Sequence, residues 1–339
     1  MTLVTNATSA LGRAPEPHHP STSGGGWRAL VASREAGLGL LILAAAILLA
    51  IAEPRFLSAS NLLSVVTGMV YDLPVAAGMT LVLILGGIDL SVGAVLGLTG
   101  VLTAMALRSG LPVPVAVLGG FLTAAGAGVV NGLLIARFRL PPFIVTLGTM
   151  SVARGTATVL TSGYFLSGLP AAYVNIGRGE LLGVSYPIYA VVALLAVFGF
   201  VVARWKPLHD AFYVGHNPAA AALSGIPVVR LVFAGYVISA LLAGLAAVFM
   251  TSRLGMGYAR FGELAELRAI AAAVLGGASF SGGTGSILGS ALGVLLLAVI
   301  LNGFVLLNLS VYWQGVVSGL ILVVAIAVDA WRRRRNEGR

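Results

Sequence analysis

Charged side chains interrupt long apolar stretches of this chain, and such charges need a chemical reason. Asp72 lies beside Tyr71 and before Pro74 in one apolar stretch, and Arg154 lies in another. A charge in hydrocarbon is costly, so each must face a partner or a water-filled cavity. Two alternatives follow for Asp72, which either pairs with Arg154 or accepts hydrogen bonds from a polyhydroxylated solute. For Arg154 a structural or snorkelling role is favoured.

Two glycine-rich segments divide the apolar stretches, at 86–91 and at 276–285. A phosphate-binding P-loop would end in Gly-Lys-Ser/Thr, and no lysine follows Lys206, so a nucleotide site is rejected. Both segments instead predict breaks between helices, because glycine permits tight turns and close helix contact. Asp89 either caps the helix that follows it or contacts substrate. The residues that mark the two breaks are Gly86, Gly87, Asp89, Ser91, Gly276, Gly277, Gly282 and Gly283.

A third segment, 217–226, has the signature of a short surface helix. Asn217 can cap its start, Pro218 suits the first helical position, and the alanines that follow favour helix. Gly225 is a plausible stop. Its small side chains would let this helix lie in a groove of another protein, and a solvated connector is the alternative.

The composition limits the kinds of architecture that can contain these segments. Hydrophobic residues make up 58% of the chain and charged residues 9%, and no Asp, Glu, Lys or Arg occurs from Ala269 to Val328. Such stretches cannot form a water-facing surface, which excludes a soluble enzyme, a coiled coil or a disordered chain as the main architecture. With no cysteine and only four dispersed histidines, no catalytic or metal site is predicted, and no cofactor.

The hydropathy pattern predicts an all-α polytopic membrane protein with about ten transmembrane helices. Residues 1–34 read as a disordered tail, 35–331 as the transmembrane domain with a cytoplasmic loop at 204–230, and 332–339 as a basic tail. Arginine clusters place both termini in the cytoplasm. A retained first helix is favoured over a cleaved signal. The predicted spans are 36–52, 62–84, 90–107, 112–136, 143–162, 186–203, 231–250, 268–280, 286–308 and 312–330.

Four blocks of the sequence are similar to one known family. They are GGIDLSVGAVLGLTG at 86–100, LPPFIVTLGTM at 140–150, GHNPAAAALSGI at 215–226 and AIAAAVLGGASFSGGTGSILGSALG at 269–293. Together they resemble the ribose-type permeases of bacterial ABC importers, in the expected order from about residue 36 to residue 330. The resemblance implies a fold like the vitamin B12 importer (type II) permease, in the bacterial inner membrane.

The resemblance also implies partners. Two such permeases, identical or paralogous, enclose a path, dock on cytoplasmic ATPases that bind ATP and magnesium, and receive sugar from a periplasmic binding protein. This chain departs from the family pattern at three positions: Asp72 is not expected at its place, a small residue is usual at His216, and an acidic residue is common at Arg268. The family's ATPase-coupling helix maps here to Asn217, Pro218, Ala220, Ala221, Ser224, Gly225 and Ile226.

The predicted function is therefore a non-enzymatic permease subunit for a monosaccharide or related polyol. Its sugar path should offer weak, spread hydrogen bonds, because a tight site would trap the solute. The candidate path residues are Asp72, Asn131 and Asn302. The alternative is a secondary sugar transporter that is driven by protons through Asp72 or Asp89.

Overall fold

The computed structural model describes residues 34–310 and 312–337. The predicted disordered tail lies outside the described residues, apart from its last position. The helices in chain order are α1 (Arg34–Ala52), α2 (Ala59–Ile84), α3 (Val92–Arg108), α4 (Val113–Gly132), α5 (Pro142–Thr161), α6 (Ala171–Arg178), α7 (Tyr186–Arg204), α8 (Lys206–His216), α9 (Pro218–Leu223), α10 (Val228–Leu254), α11 (Ala265–Leu275), α12 (Ile287–Leu306) and α13 (Trp313–Glu337). A 3-10 turn, Pro54–Leu57, precedes α2, and a π-helical turn, Leu133–Arg137, extends α4.

Within the described residues, extended structure is confined to four two-residue strands. β1 (Leu166–Ser167) pairs antiparallel with β4 (Met256–Gly257), and β2 (Glu180–Leu181) pairs with β3 (Val184–Ser185). All four lie between the long helices and not within them. The β1–β4 pair ties the connection after α5 to the connection after α10, and β2 and β3 form a hairpin within the connection after α6.

The helices confirm an all-α polytopic membrane architecture. Seven described helices are long and apolar enough to cross a membrane, and two shorter apolar helices lie at Val92–Arg108 and Trp313–Val324. Each of the ten predicted spans falls on one helix of the fold. The eighth, 268–280, is wrong at its end, because α11 stops at Leu275 and turns and loop follow.

The length of α11 sets it apart from the other spans. It has 11 residues, which extend about 16 Å and cannot cross roughly 30 Å of hydrocarbon. The loop after it completes the passage, reaching the end of α2, where the Gly283 amide donates to the Ile84 carbonyl at 2.8 Å. Helix α11 is therefore a half-helix. In the loop that follows it, residues 277–279 and Gly282 are buried in protein, whereas Ser281 and Thr284 are exposed.

Two long helices, α2 and α10, form the centre of the molecule and are its most buried spans. Small residues on these helices let the backbones of neighbouring helices come into contact. A Cβ on Gly128 of α4 would lie 2.7 Å from the Val237 Cα of α10, so only glycine allows this approach. Around this centre α1, α4, α5 and α7 expose apolar side chains, which is the pattern of a lipid-facing surface.

Candidate functional site

The charged residue of span two is ion-paired. Arg268 Nη2 of α11 lies 3.0 Å from Asp72 Oδ1 of α2, and its Nε lies 3.3 Å from the same oxygen. Arg268 Nη1 also donates to the Glu263 carbonyl at 3.3 Å. The two charges are thus each other's partner at the contact of α2 with α11. The predicted alternative in which Asp72 pairs with Arg154 is wrong.

Arg154 of α5 instead holds the segment between α10 and α11. Its Nη1 donates to the carbonyls of Ala259 and Phe261, the latter at 2.9 Å. In the same segment Arg260 and Glu263 form an exposed ion pair at 2.8 Å. The hydrogen bond from Arg260 lowers the pKa of Glu263, so that pair stays charged. Arg154 therefore has a structural role, as the sequence favoured.

Asp89 anchors a buried polar network behind the first glycine break. Its Oδ1 accepts from the Ser91 amide at 3.0 Å and the Ser91 hydroxyl at 2.6 Å, and its Oδ2 accepts from Ser239 at 3.1 Å. Asn131 donates to Ser91 Oγ at 2.9 Å and accepts from Thr149 at 2.6 Å. The network joins α4, α5 and α10 to the segment before α3. Asn131 is wholly buried in it and does not face an open path.

Asn302 is also engaged within the protein. Its Nδ2 donates to Asn61 Oδ1 at 2.8 Å, and Asn61 Nδ2 returns a bond to Asn302 Oδ1 at 3.0 Å. Reciprocal amide pairs of this kind join helices within membranes. Of the three candidate path residues, Asp72 and Asn302 are partly exposed and Asn131 is wholly buried, and each of the three has a hydrogen-bond partner within the protein.

The loop 204–230 folds into α8 and α9. Asn217 Oδ1 accepts from the amides of Ala219 and Ala220 at 3.1 and 3.0 Å, which caps α9. Gly225 follows the helix with φ +82°, and the Ser224 hydroxyl donates back to the Ala220 carbonyl. The local sequence therefore determines both ends of this short helix.

The orientation of α9 corrects one expectation. Ala221 is only 4% exposed and packs in a core with residues of α2, α8 and α10, so it does not face a partner. Leu223 is instead 92% exposed, and Ala220 is exposed beside it. This orientation could not be predicted, because a six-residue helix of mostly alanine has no amphipathic pattern.

Two grooves flank α9 and leave it as a ridge between them. One, of about 700 Å³, is lined by Tyr213, Asn217, Ala220 and Ser224 among others. The other, of about 550 Å³, lies against Pro218, Ala219 and Ala222 and reaches Arg139 and Gly87. The exposed Leu223 projects at the end of this ridge. In the described part of the chain no group of His, Asp or Glu could hold a metal ion.

These features describe a membrane permease, and comparison with known proteins defines its class. A family model described as "Branched-chain amino acid transport system / permease component" matches residues 61–326, and the chain belongs to this family. It is a multi-pass permease and not a catalytic subunit.

The relatives place it among sugar-importer permeases, which confirms the resemblance. The chain is 40% identical over 300 residues to the ribose import permease protein RbsC of Bacillus subtilis (strain 168), covering 86% of this chain and 91% of that one. It is 33% identical over 313 residues to the L-arabinose ABC transporter permease protein AraH of Azospirillum brasilense, covering 92% and 91%. It is 32% identical over 291 residues to the D-allose transport system permease protein AlsC of Escherichia coli (strain K12), covering 86% and 89%. No solved structure matches the chain.

Proposed function

We propose that this permease imports a monosaccharide or related polyol across the bacterial inner membrane, as one of two permease subunits in an ABC importer. The family description names branched-chain amino acids, but the relatives that cover most of this chain are named for ribose, L-arabinose and D-allose. A separate ATPase binds ATP and magnesium and supplies the energy, and a periplasmic binding protein delivers the sugar.

The ridge formed by α9 is the observation that carries the ATPase proposal. An exposed leucine between two grooves presents apolar surface to water, and such surface marks an interaction site. Leu223 enters a cleft of the ATPase, and side chains of the ATPase fill the two grooves beside α9. Movement of the ATPase dimer on ATP binding then moves α9.

The path proposal rests on Asp72. Its side chain is 27% exposed, and its carboxylate keeps acceptor capacity beyond the bonds from Arg268. The guanidinium of Arg268 supplies hydrogen-bond donors and the carboxylate of Asp72 supplies acceptors. The pair carries no net charge, which suits a neutral polyol. Asn131 and Asn302 contribute instead by holding the surrounding helices.

The topology proposal places α9 and both termini in the cytoplasm and α6 outside. The chain has no cysteine, so single cysteines report sidedness without background. Ala220→Cys should resist an impermeant thiol reagent in intact cells, and Ala171→Cys should react. Reaction of Ala220→Cys from outside would contradict the orientation.

Uptake by cells that express the complete importer tests the function. Uptake of labelled ribose, L-arabinose, D-allose and leucine is measured after depletion of ATP and, separately, after collapse of the proton gradient. We expect uptake of a sugar that stops with ATP and survives loss of the gradient. The opposite dependence would establish the proton-driven alternative, and uptake of leucine alone would overturn the sugar assignment.

A further inference from the structure

Three segments of backbone meet without intervening side chains at the cytoplasmic end of the fold. They are the end of α2 at Ile84, the end of α8 at Gly215, and the loop at Gly282 and Gly283. A Cβ on Gly215 would overlap the Ile84 carbonyl oxygen and the Gly283 amide nitrogen. A Cβ on Gly282 would lie 2.6 Å from the Gly215 oxygen and 2.9 Å from its Cα. We call Gly215, Gly282 and Gly283 the glycine junction.

One side of the glycine junction leads directly to the docking ridge. Gly215 is the penultimate residue of α8, and Asn217, two positions later, caps α9. The Asn217 amide also donates to the Tyr213 carbonyl at 3.0 Å. No flexible connection separates the two helices, so a displacement of α9 must displace the junction.

The other side leads to the membrane-depth ion pair. The loop joins α11 to α12, and these two helices touch through backbone at Gly276 against Gly289 and at Gly293 against Ala272. Such contacts hold α11 and α12 as one packed unit. Arg268, which binds Asp72, lies on α11 about 10 Å from its end at about 1.5 Å per residue.

We propose that the glycine junction transmits the movement of α9 to the α11–α12 unit and so to the Arg268–Asp72 pair; this inference rests on the proposed function. Backbone contacts suit the task because no side chain is present that could change rotamer and absorb the displacement. Gly215, Gly282 and Gly283 are therefore positioning residues for transport. They contact neither sugar nor nucleotide, and they determine how much sugar is transported for each ATP hydrolysed.

Gly215→Ala tests the contact without backbone strain, because its φ lies outside the positive range that favours glycine. In purified importer in lipid vesicles, we expect the ATPase to remain bound and to hydrolyse ATP, while sugar transported per ATP falls roughly tenfold, as changes along a coupling network can produce. Gly282→Ala should do the same from the opposite side. Gly110→Ala is its matched control, since Gly110 has a similar φ of +87° and open space around it. It should transport like wild type.

Gly283→Ala gives a milder test of the same junction. Its added Cβ would lie 3.0 Å from the Cα and Cβ of His216, so the neighbouring backbone has to shift by only a few tenths of an ångström. We expect a smaller loss of sugar transported per ATP than in Gly215→Ala, and Gly110→Ala is again the control for backbone strain. This arm decides the question if Gly215→Ala and Gly282→Ala fail to insert.

The outcomes separate the two proposals. Unchanged transport per ATP in Gly215→Ala and Gly282→Ala overturns the junction, as does unchanged transport per ATP in Gly283→Ala if those two variants fail to insert. Failure of the unaltered permease to bind an ATPase would overturn the proposed function instead. A parallel loss in Gly110→Ala would show that backbone strain, and not contact, causes the effect, and would also overturn the junction.

Discussion

Arg268 binds Asp72 across the contact of α2 and α11, with Nη2 3.0 Å from Oδ1 and 196 positions between them in the chain. The side chains remain 22% and 27% exposed, so the pair is neither fully buried nor freely solvated. Its contribution should therefore lie between that of surface pairs and that of buried pairs. It also joins a half-helix, which cannot span the bilayer alone, to one of the two central helices.

Loss of one charge from this pair should destabilise the permease. Asp72→Asn leaves the Arg268 guanidinium with a neutral neighbour, and we expect a loss of about 1–3 kcal/mol in stability. The readouts are membrane abundance and thermal unfolding in detergent. Asp72→Asn combined with Arg268→Gln removes both charges and should recover abundance.

Uptake by the same variants distinguishes an ion pair that only supports the fold from one that also contacts sugar. If Asp72 lines the path, the double variant regains abundance without regaining uptake. Full uptake by the double variant would contradict the path assignment. Arg154→Gln with Asp72→Asn should give no recovery, because Arg154 binds carbonyls elsewhere.

The reciprocal amide pair of Asn61 and Asn302 should behave as a unit. Asn302→Leu leaves the Asn61 amide oxygen without its partner, while Asn61 Nδ2 still donates to the Phe56 carbonyl at 2.9 Å, and we expect a loss of about 1 kcal/mol. Replacing both residues with leucine removes both polar groups and should recover part of the unfolding temperature, because the bond to Phe56 is lost as well. A double variant less stable than either single variant would show that the pair does not act through its mutual hydrogen bonds.

Two positions on α9 should have opposite phenotypes. Leu223→Asp changes a side chain exposed to water, so the permease should insert and unfold normally but fail to retain the ATPase in a pull-down. Ala221→Leu adds bulk to a packed core, which should lower stability by about 1–3 kcal/mol. Retention of the ATPase by Leu223→Asp would remove Leu223 from the docking surface.

Position 89 should tolerate replacement of Asp by Asn but not by Leu. In Asp89→Asn the amide oxygen can keep both bonds from Ser91, and the Ser239 hydroxyl can rotate to accept from the new NH₂ group. Asp89→Leu leaves the buried Ser91 amide without this acceptor and should cost about 1–3 kcal/mol. Equal unfolding temperatures for the two variants would contradict the role of these hydrogen bonds.

The sequence determined the elements that depend on local pattern. Long apolar runs predicted the helices that span the membrane, and Asn217 with Pro218 predicted the start of α9. The cap acts within one turn of helix, and a span depends on about 20 consecutive residues, so both signals lie in one continuous stretch of sequence. The two glycine-rich segments likewise lie between helices, after α2 and after α11.

The sequence could not determine features that depend on distant contacts. Arg268 and Arg154 both carry a guanidinium at membrane depth, and only the packing of α11 on α2 selects the partner of Asp72. At the end of α11 two sequence signals overlapped, because residues 276–280 belong both to the predicted span and to the predicted glycine-rich break. The break determines the structure there, and the loop contacts α2 and α8.

The shortness of α11 constrains how the protein is made. A segment of 11 residues with Glu266 and Arg268 is too short and too polar to be recognised as a membrane helix when it leaves the ribosome. We expect it to enter the bilayer together with α12 as a hairpin, because α12 is longer, uncharged and apolar enough to cross a membrane. On this expectation, α11 inserts only after α12 has been synthesised.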